Sequence, residues 1–118
     1  MRTQIMSRDK PNYLRTFRMR SGLTQEEVAF LLGLSNRKAV SRSERTGQGM
    51  ALEQLLALQI IFDVSVQELY SSLHLKVEQL ALTRVQVLIQ KLEREADSKK
   101  NRYKRKTLAA MERRIGRA

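Results

Sequence analysis

The chain of 118 residues contains no cysteine and no tryptophan, a single proline and only 5% aromatic residues. Without cysteine there is no disulfide framework, no thiolate-ligated zinc and no thiol nucleophile. So few aromatic rings give little platform for stacking unpaired bases, the usual way of holding single-stranded nucleic acid. No run approaches the roughly 18 apolar residues of a membrane span, and the opening MRTQIMSRDK has no apolar stretch of signal-peptide length. The composition therefore predicts a cytoplasmic protein with no membrane partner. Acidic residues are also in short supply: 12 Asp and Glu face 23 Lys and Arg, a formal net charge of +11. That excess is the electrostatic footprint of a phosphate-rich partner. Ribosomal and membrane-surface proteins share it, so the residue pattern has to discriminate.

The charge is unevenly placed. Residues 1–73 carry 10 basic and 7 acidic side chains, net +3, whereas 74–118 carry 13 and 5, net +8. No strand-type alternation bounded by turns occurs, and Gly22, Gly33, Gly47 and Gly49 punctuate helical patterns. The reading is all-α: an N-terminal arm over 1–12, a compact domain over 13–72, a long helix over 73–97 and a basic helical tail over 98–118. Within the domain a first helix spans Tyr13–Ser21 and ends at Gly22. Thr24 caps a second, with Glu27 completing a capping box. The second helix runs to about Leu32 and turns Val28, Leu31 and Leu32 inward. A third starts at Ser35 or Asn36 and stops before Gly47. A fourth spans Leu52–Phe62 with Leu52, Leu55, Leu56 and Phe62 inward. Ser65 caps a fifth that buries Val66, Leu69 and Tyr70.

The third helix has an unusual wheel. At about 100° per residue, Arg37, Ser41, Arg45, Lys38 and Arg42 fall at about 0°, 40°, 80°, 100° and 140°, and Ala39, Ser43 and Val40 at about 200°, 240° and 300°. One face is rich in donors; the other is small and apolar. A solvated basic face would look similar, but the buried side is too thin to justify the helix as a core element. Its short glycine-containing link to a capped helix is the geometry of a helix-turn-helix, whose second helix enters the major groove.

Arg18 followed by RSGLTQEEVA, then Gly33-Leu34-Ser35, VSRSER and a closing VSVQEL make residues 13–70 resemble the helix-turn-helix domain of the lambda-repressor and Cro family, the xenobiotic-response-element type of regulator. The resemblance covers about half of the chain. It implies a five-helix DNA-binding fold, double-stranded DNA as partner, a repressor-like role in transcription, and a cytoplasmic, nucleoid-associated protein. It places Arg37, Lys38 and Arg42 at base edges, where Arg or Lys donates to guanine O6 and N7. Gln25, Ser35, Asn36, Ser41 and Arg45 become phosphate or flanking contacts, which position without specifying. Arg18 and Glu44 become a structural pair tying the first helix to the third. The chain departs from the family pattern in four places. The stretch from Gly33 to Val40 is one residue longer, Ser43 stands in place of a larger apolar residue, Gln59 in place of a small one, and Asp63 in place of a helix-ending glycine.

Beyond the domain, Leu73, Val77, Ala81, Val85, Leu88, Leu92 and Ala96 form one stripe on a helix of about 37 Å. That is longer than a small helical domain needs, and the stripe predicts a homodimer, in which paired domains read two half-sites, packing of the stripe back on its own domain being the plainer alternative. In the tail, Lys99, Lys100, Arg102, Lys104, Arg105 and Lys106 predict an arm on the DNA backbone or minor groove, a solvated charge run being the plainer alternative. Leu108, Met111 and Ile115 share a side if the tail is helical. His74 is a single histidine with no second ligand at useful spacing. Glu26 and Glu27 are helix neighbours that point apart. No catalytic constellation, metal site or cofactor is expected. Two rivals to the regulator reading remain: an antitoxin-like or adaptor protein whose C-terminal helix binds a partner protein while the domain autoregulates its promoter, and a non-specific nucleoid or RNA-coating protein.

Overall fold

The structure, a computed structural model, describes residues 12–117. The arm expected over 1–12 lies outside the described residues apart from Asn12. The described residues form seven helices and no strand. The all-α expectation holds. The chain divides into two compact units, one closing at His74 and the other beginning at Leu75.

In the first unit, α1 (Leu14–Ser21) stops because Gly22 adopts φ 79°, a left-handed turn that lets its N–H close on the Met19 carbonyl. α2 (Gln25–Leu31) starts on the expected capping box: the Glu27 N–H donates to Thr24 Oγ1 at 3.0 Å and the Thr24 N–H to Glu27 Oε1 at 2.9 Å. α3 spans Lys38–Thr46, α4 Leu52–Phe62 and α5 Val66–Leu69, the last capped by Ser65. Leu14, Val28, Ala29, Val40, Leu58, Leu69 and Tyr70 form the core, with Phe17, Leu32, Leu55 and Phe62 packed around it.

Three expectations need correction here. α3 begins at Lys38, not at Ser35 or Asn36. The extra residue between Gly33 and Val40 is taken up by a bend over 35–37. Leu31 is not inward but half exposed, because α2 presents Val28 and Ala29 to the core. α4 carries two apolar stripes, and only one can be buried. Leu55, Leu58 and Phe62 face the core, whereas Leu52 is 70% and Ile60 80% exposed, with Leu56 beside them.

Gln59 and Asp63, unusual at their positions, acquire physical reasons. Gln59 Oε1 accepts from the Val66 N–H at 3.1 Å, satisfying a first-turn amide of α5. Asp63 holds φ 50°, ψ 49° at the end of α4, a left-handed residue where glycine is the unstrained choice.

The long helix ends sooner than expected, and the tail expected over 98–118 is helical through most of its length. α6 spans Ser71–Glu93 and α7 Lys99–Gly116. The pattern that ran on to residue 97 is cut by a turn, in which the Arg94 and Glu95 N–H groups bond back to Lys91 and Leu92 carbonyls. Ser98 then caps α7, accepting from the Asn101 N–H at 3.1 Å. The Arg105 guanidinium donates to the Leu92 carbonyl at 2.7 Å, and Gln86 Nε2 to Glu112 Oε2 at 3.4 Å. Moving back along α6 moves the partner forward along α7, so the two run antiparallel as a hairpin. Leu92 and Leu108 are its buried residues, and Ala96 is exposed. The expected stripe is therefore split, its Leu92 end being covered within the chain.

Candidate nucleic-acid interface

α3 is held by its inner side. Val40 and Ser43 are fully buried, and Ala39 is half-buried. Ser43, too small to fill its site with carbon, is completed by Tyr70, whose hydroxyl lies 2.8 Å from Ser43 Oγ. The Ser43 carbonyl accepts from Asn12 Nδ2 at 2.6 Å, while Asn12 Oδ1 accepts from the Leu14 N–H at 2.9 Å. Asn12 thus ties the start of α1 to the backbone of α3. Sequence reasoning placed it in an arm and missed it. An asparagine two residues ahead of a helix is a recognisable turn signal, but its long-range contact is not.

The second brace is a carboxylate. Arg18 Nε donates to Glu44 Oε2 at 2.6 Å and Arg18 Nη2 to Glu44 Oε1 at 3.2 Å, in the fork geometry of strong pairs. Arg18 Nη1 also donates to the Leu23 carbonyl at 2.9 Å, and Gln25 Nε2 to Glu44 Oε1 at 3.0 Å. One buried carboxylate therefore binds α1, α2 and α3 together. Gln25, expected at a phosphate, has its side-chain amide engaged here.

The outer side is different. Arg37, Lys38, Arg42 and Arg45 are exposed and Ser41 is half-buried; these five line one shallow depression of about 410 Å³. Arg37 is the N-terminal boundary residue of α3 rather than part of its first turn, and its carbonyl accepts from the Ser41 N–H at 2.9 Å. Asn36 Oδ1 accepts from the Lys38 N–H at 2.9 Å, so its side chain fixes the turn into the helix. Ser35 and Asn36 are exposed and are not among the residues lining the depression. Gly49, at φ 99°, packs beneath Arg42: a Cβ there would lie 3.3 Å from Arg42 Cδ. This positioning role had no sequence signal beyond the glycine itself.

Burial raises the pKa of Tyr70; the Ser43 hydrogen bond opposes the shift, and the nearby Glu44 carboxylate adds to it. The hydroxyl behind α3 thus stays protonated well past neutral pH.

The six tail candidates lie on the first half of α7, in the second unit. Lys99, Lys100, Arg102, Lys104 and Lys106 are exposed. Arg105 is turned inward onto the carbonyls that end α6, and Asp97 lies within 3.1 Å of Arg102 and 3.6 Å of Arg105. Among the described residues no group of three His, Asp or Glu side chains is placed to hold a metal, and no helix is long and apolar enough to cross a membrane.

Comparison of the chain with protein-family models, curated proteins and solved structures gives no match.

Proposed function

We propose that the chain is a sequence-specific, DNA-binding regulator of transcription that acts as a dimer through a lambda-repressor-like helix-turn-helix and carries no enzymatic activity. The observation that carries this reading is the division of α3. Its inner side is fixed by Val40, Ser43 and Glu44, and its outer side gathers Arg37, Lys38, Ser41, Arg42 and Arg45 on one accessible surface. A helix braced by its neighbours and bare along one cationic edge has the form of an element laid in the major groove. Arg37, Lys38 and Arg42 read base edges. Ser35, Asn36, Ser41 and Arg45 hold the flanking phosphates. Gln25 has only its own main-chain N–H left to offer at the start of α2, because its side chain steadies Glu44. In this reading the protein works at the nucleoid.

The test is selection of bound fragments from random or genomic duplexes, followed by competition. A preferred site should bind at least about 10³-fold tighter than random DNA. Equal affinity for every sequence would leave only a non-specific coating protein. A second reading, an antitoxin-like or adaptor role, draws on the uncovered stripe Leu52, Leu56 and Ile60 of α4, which is a surface for protein rather than for DNA. A stable heterocomplex with the product of an adjacent gene, masking that stripe from solvent exchange, would favour it.

A further inference from the structure

Between α6 and α7, on one side of the hairpin and wholly within the second unit, lies a cavity of about 570 Å³. Leu88, Lys91 and Leu92 of α6 line it, with Glu95 in the turn; α7 lines it with a stripe from Lys100 to Leu108. Because the two helices run antiparallel, this lining is graded. Glu95 and Lys100 lie at the turn, Lys91 and Lys104 further in, and Leu88 and Leu108 beyond them. From Lys100 to Leu108 the groove runs about 12 Å. The buried Leu92 and Leu108 give it an apolar floor, and the exposed Leu88 and Tyr103 an apolar rim.

The charge in the groove is uncompensated. Three lysines against one glutamate leave the lining at a formal +2. Among the described residues Lys91, Lys100 and Lys104 have no carboxylate partner, whereas Asp97, in the same turn, is taken by Arg102 and Arg105. Cations of one sign gathered over apolar walls focus the field and draw in an anion. A ligand site is ordinarily such a concavity of roughly 300–1,000 Å³, mostly apolar, with a few polar groups that fix orientation.

The gradient selects the occupant. Inorganic phosphate would answer the lysines and leave Leu88 and Tyr103 in water. A neutral hydrocarbon would do the reverse, and a duplex backbone would cover no leucine. A protein helix laid along two turns of groove falls short of the roughly 800 Å² per partner of a stable interface. What fits is a small amphiphile with its charge at one end. A phosphate monoester carries about −1.5 to −2 at neutral pH, which matches the lining, whereas a carboxylate answers half of it. We infer that the groove is a binding site for a single-chain alkyl or acyl phosphate monoester, with its head among Lys91, Lys100 and Lys104 and its chain running over Leu92 toward Leu88 and Leu108. The site does not rest on DNA contact by α3, and a failure of the DNA reading leaves it standing.

The experiment is calorimetric titration of the full chain, without DNA, with decyl phosphate below its micelle concentration. Binding should saturate at one molecule per chain. Decyltrimethylammonium, which keeps the chain and reverses the head, and inorganic phosphate, which keeps the head alone, should each bind at least about tenfold more weakly. The variant K91Q/K104Q should lose at least about tenfold in affinity for decyl phosphate, and L88Q should weaken it as well. K76Q/R113Q removes two exposed cations outside the lining and should leave it unchanged. All five substituted residues are exposed, so the helical circular dichroism should persist in every variant. Four outcomes would overturn the site. Equal binding of both decyl compounds would mean adsorption to apolar surface. An equal loss in K76Q/R113Q and K91Q/K104Q would mean diffuse attraction to net charge. Binding to vesicles of phosphatidylcholine and phosphatidic acid, with none of monomeric decyl phosphate, would mean a membrane-surface effect. No binding at all would return the groove to a protein occupant.

Discussion

Glu44 sits at the junction of three helices, and its loss has a direct physical cost. Removing one partner of a buried, hydrogen-bonded ion pair leaves the other charge stranded, typically at about 3–5 kcal/mol. Arg18 keeps 13% of its side-chain surface exposed, which places E44A toward the lower end of that range. Urea unfolding monitored by circular dichroism measures it; a change of less than about 1 kcal/mol, the scale of surface pairs, would mean the brace is not closed in solution. Asp63 offers the opposite test. Its left-handed backbone is strained for any residue with a Cβ, so D63G should raise stability by about 0.5–1 kcal/mol, read as a higher melting temperature. Tyr70 couples stability to alkali. Its folded pKa lies above the ordinary 10.0 because burial disfavours the phenolate. The folded state therefore binds this proton more tightly, and the contribution is whole below about pH 10 and lost as pH rises through the higher folded value. Thermal melts from pH 8 to 11 should fall more steeply for the native chain than for Y70F; parallel curves would refute the assignment.

At the scale of the element, α3 gathers the exposed basic side chains on which the proposed reading depends. R37A or R42A should cost about 1–3 kcal/mol at a preferred site and relax discrimination at one base pair. Weakening that is equal on every sequence would reassign these arginines to phosphates. Much of this helix was legible from the chain, because a wheel separates Arg37, Ser41 and Arg42 from Val40 and Ser43 by angle alone. The Arg18–Glu44 pair came only through family resemblance, and the structure places the two in contact. Its starting residue was not legible: Ser35 and Asn36 both resemble caps, and the choice depends on how a bend of three residues is absorbed. α4 misled for a related reason. LEQLLALQIIF is apolar all round, so periodicity could not say which stripe meets the core. In the stretch beyond Glu93, the apolar period continued to Ala96 while Ser98 and Asn101 carried a cap signal, and the cap prevailed. The contacts of Asn12 and Gly49 depend on the tertiary path and have no local signature.

For the molecule as a whole, the two units divide the electrostatics. Most of the net charge lies after residue 73, whereas the α3 surface lies before it. Affinity for any duplex should fall linearly with salt on logarithmic axes, at about 0.9 per phosphate neutralised. Replacing Lys99, Lys100, Arg102 and Lys106 with Gln should flatten that slope and weaken all sequences alike, because backbone contacts carry no sequence information. Titrations from low to moderate salt on preferred and random duplexes would measure both effects. A slope unchanged by the four substitutions would leave α7 to the hairpin alone.

The bracing of α3 uses Val40, Ser43 and Glu44 and none of the side chains at its bare edge. The side chains that α3 presents outward and those that keep it in place are therefore separate sets. If α3 reads a duplex as proposed, exchanging Arg37 or Lys38 for other polar residues should leave the Val40, Ser43 and Glu44 brace in place, and a preferred operator would then be open to rewriting one letter at a time on the same scaffold.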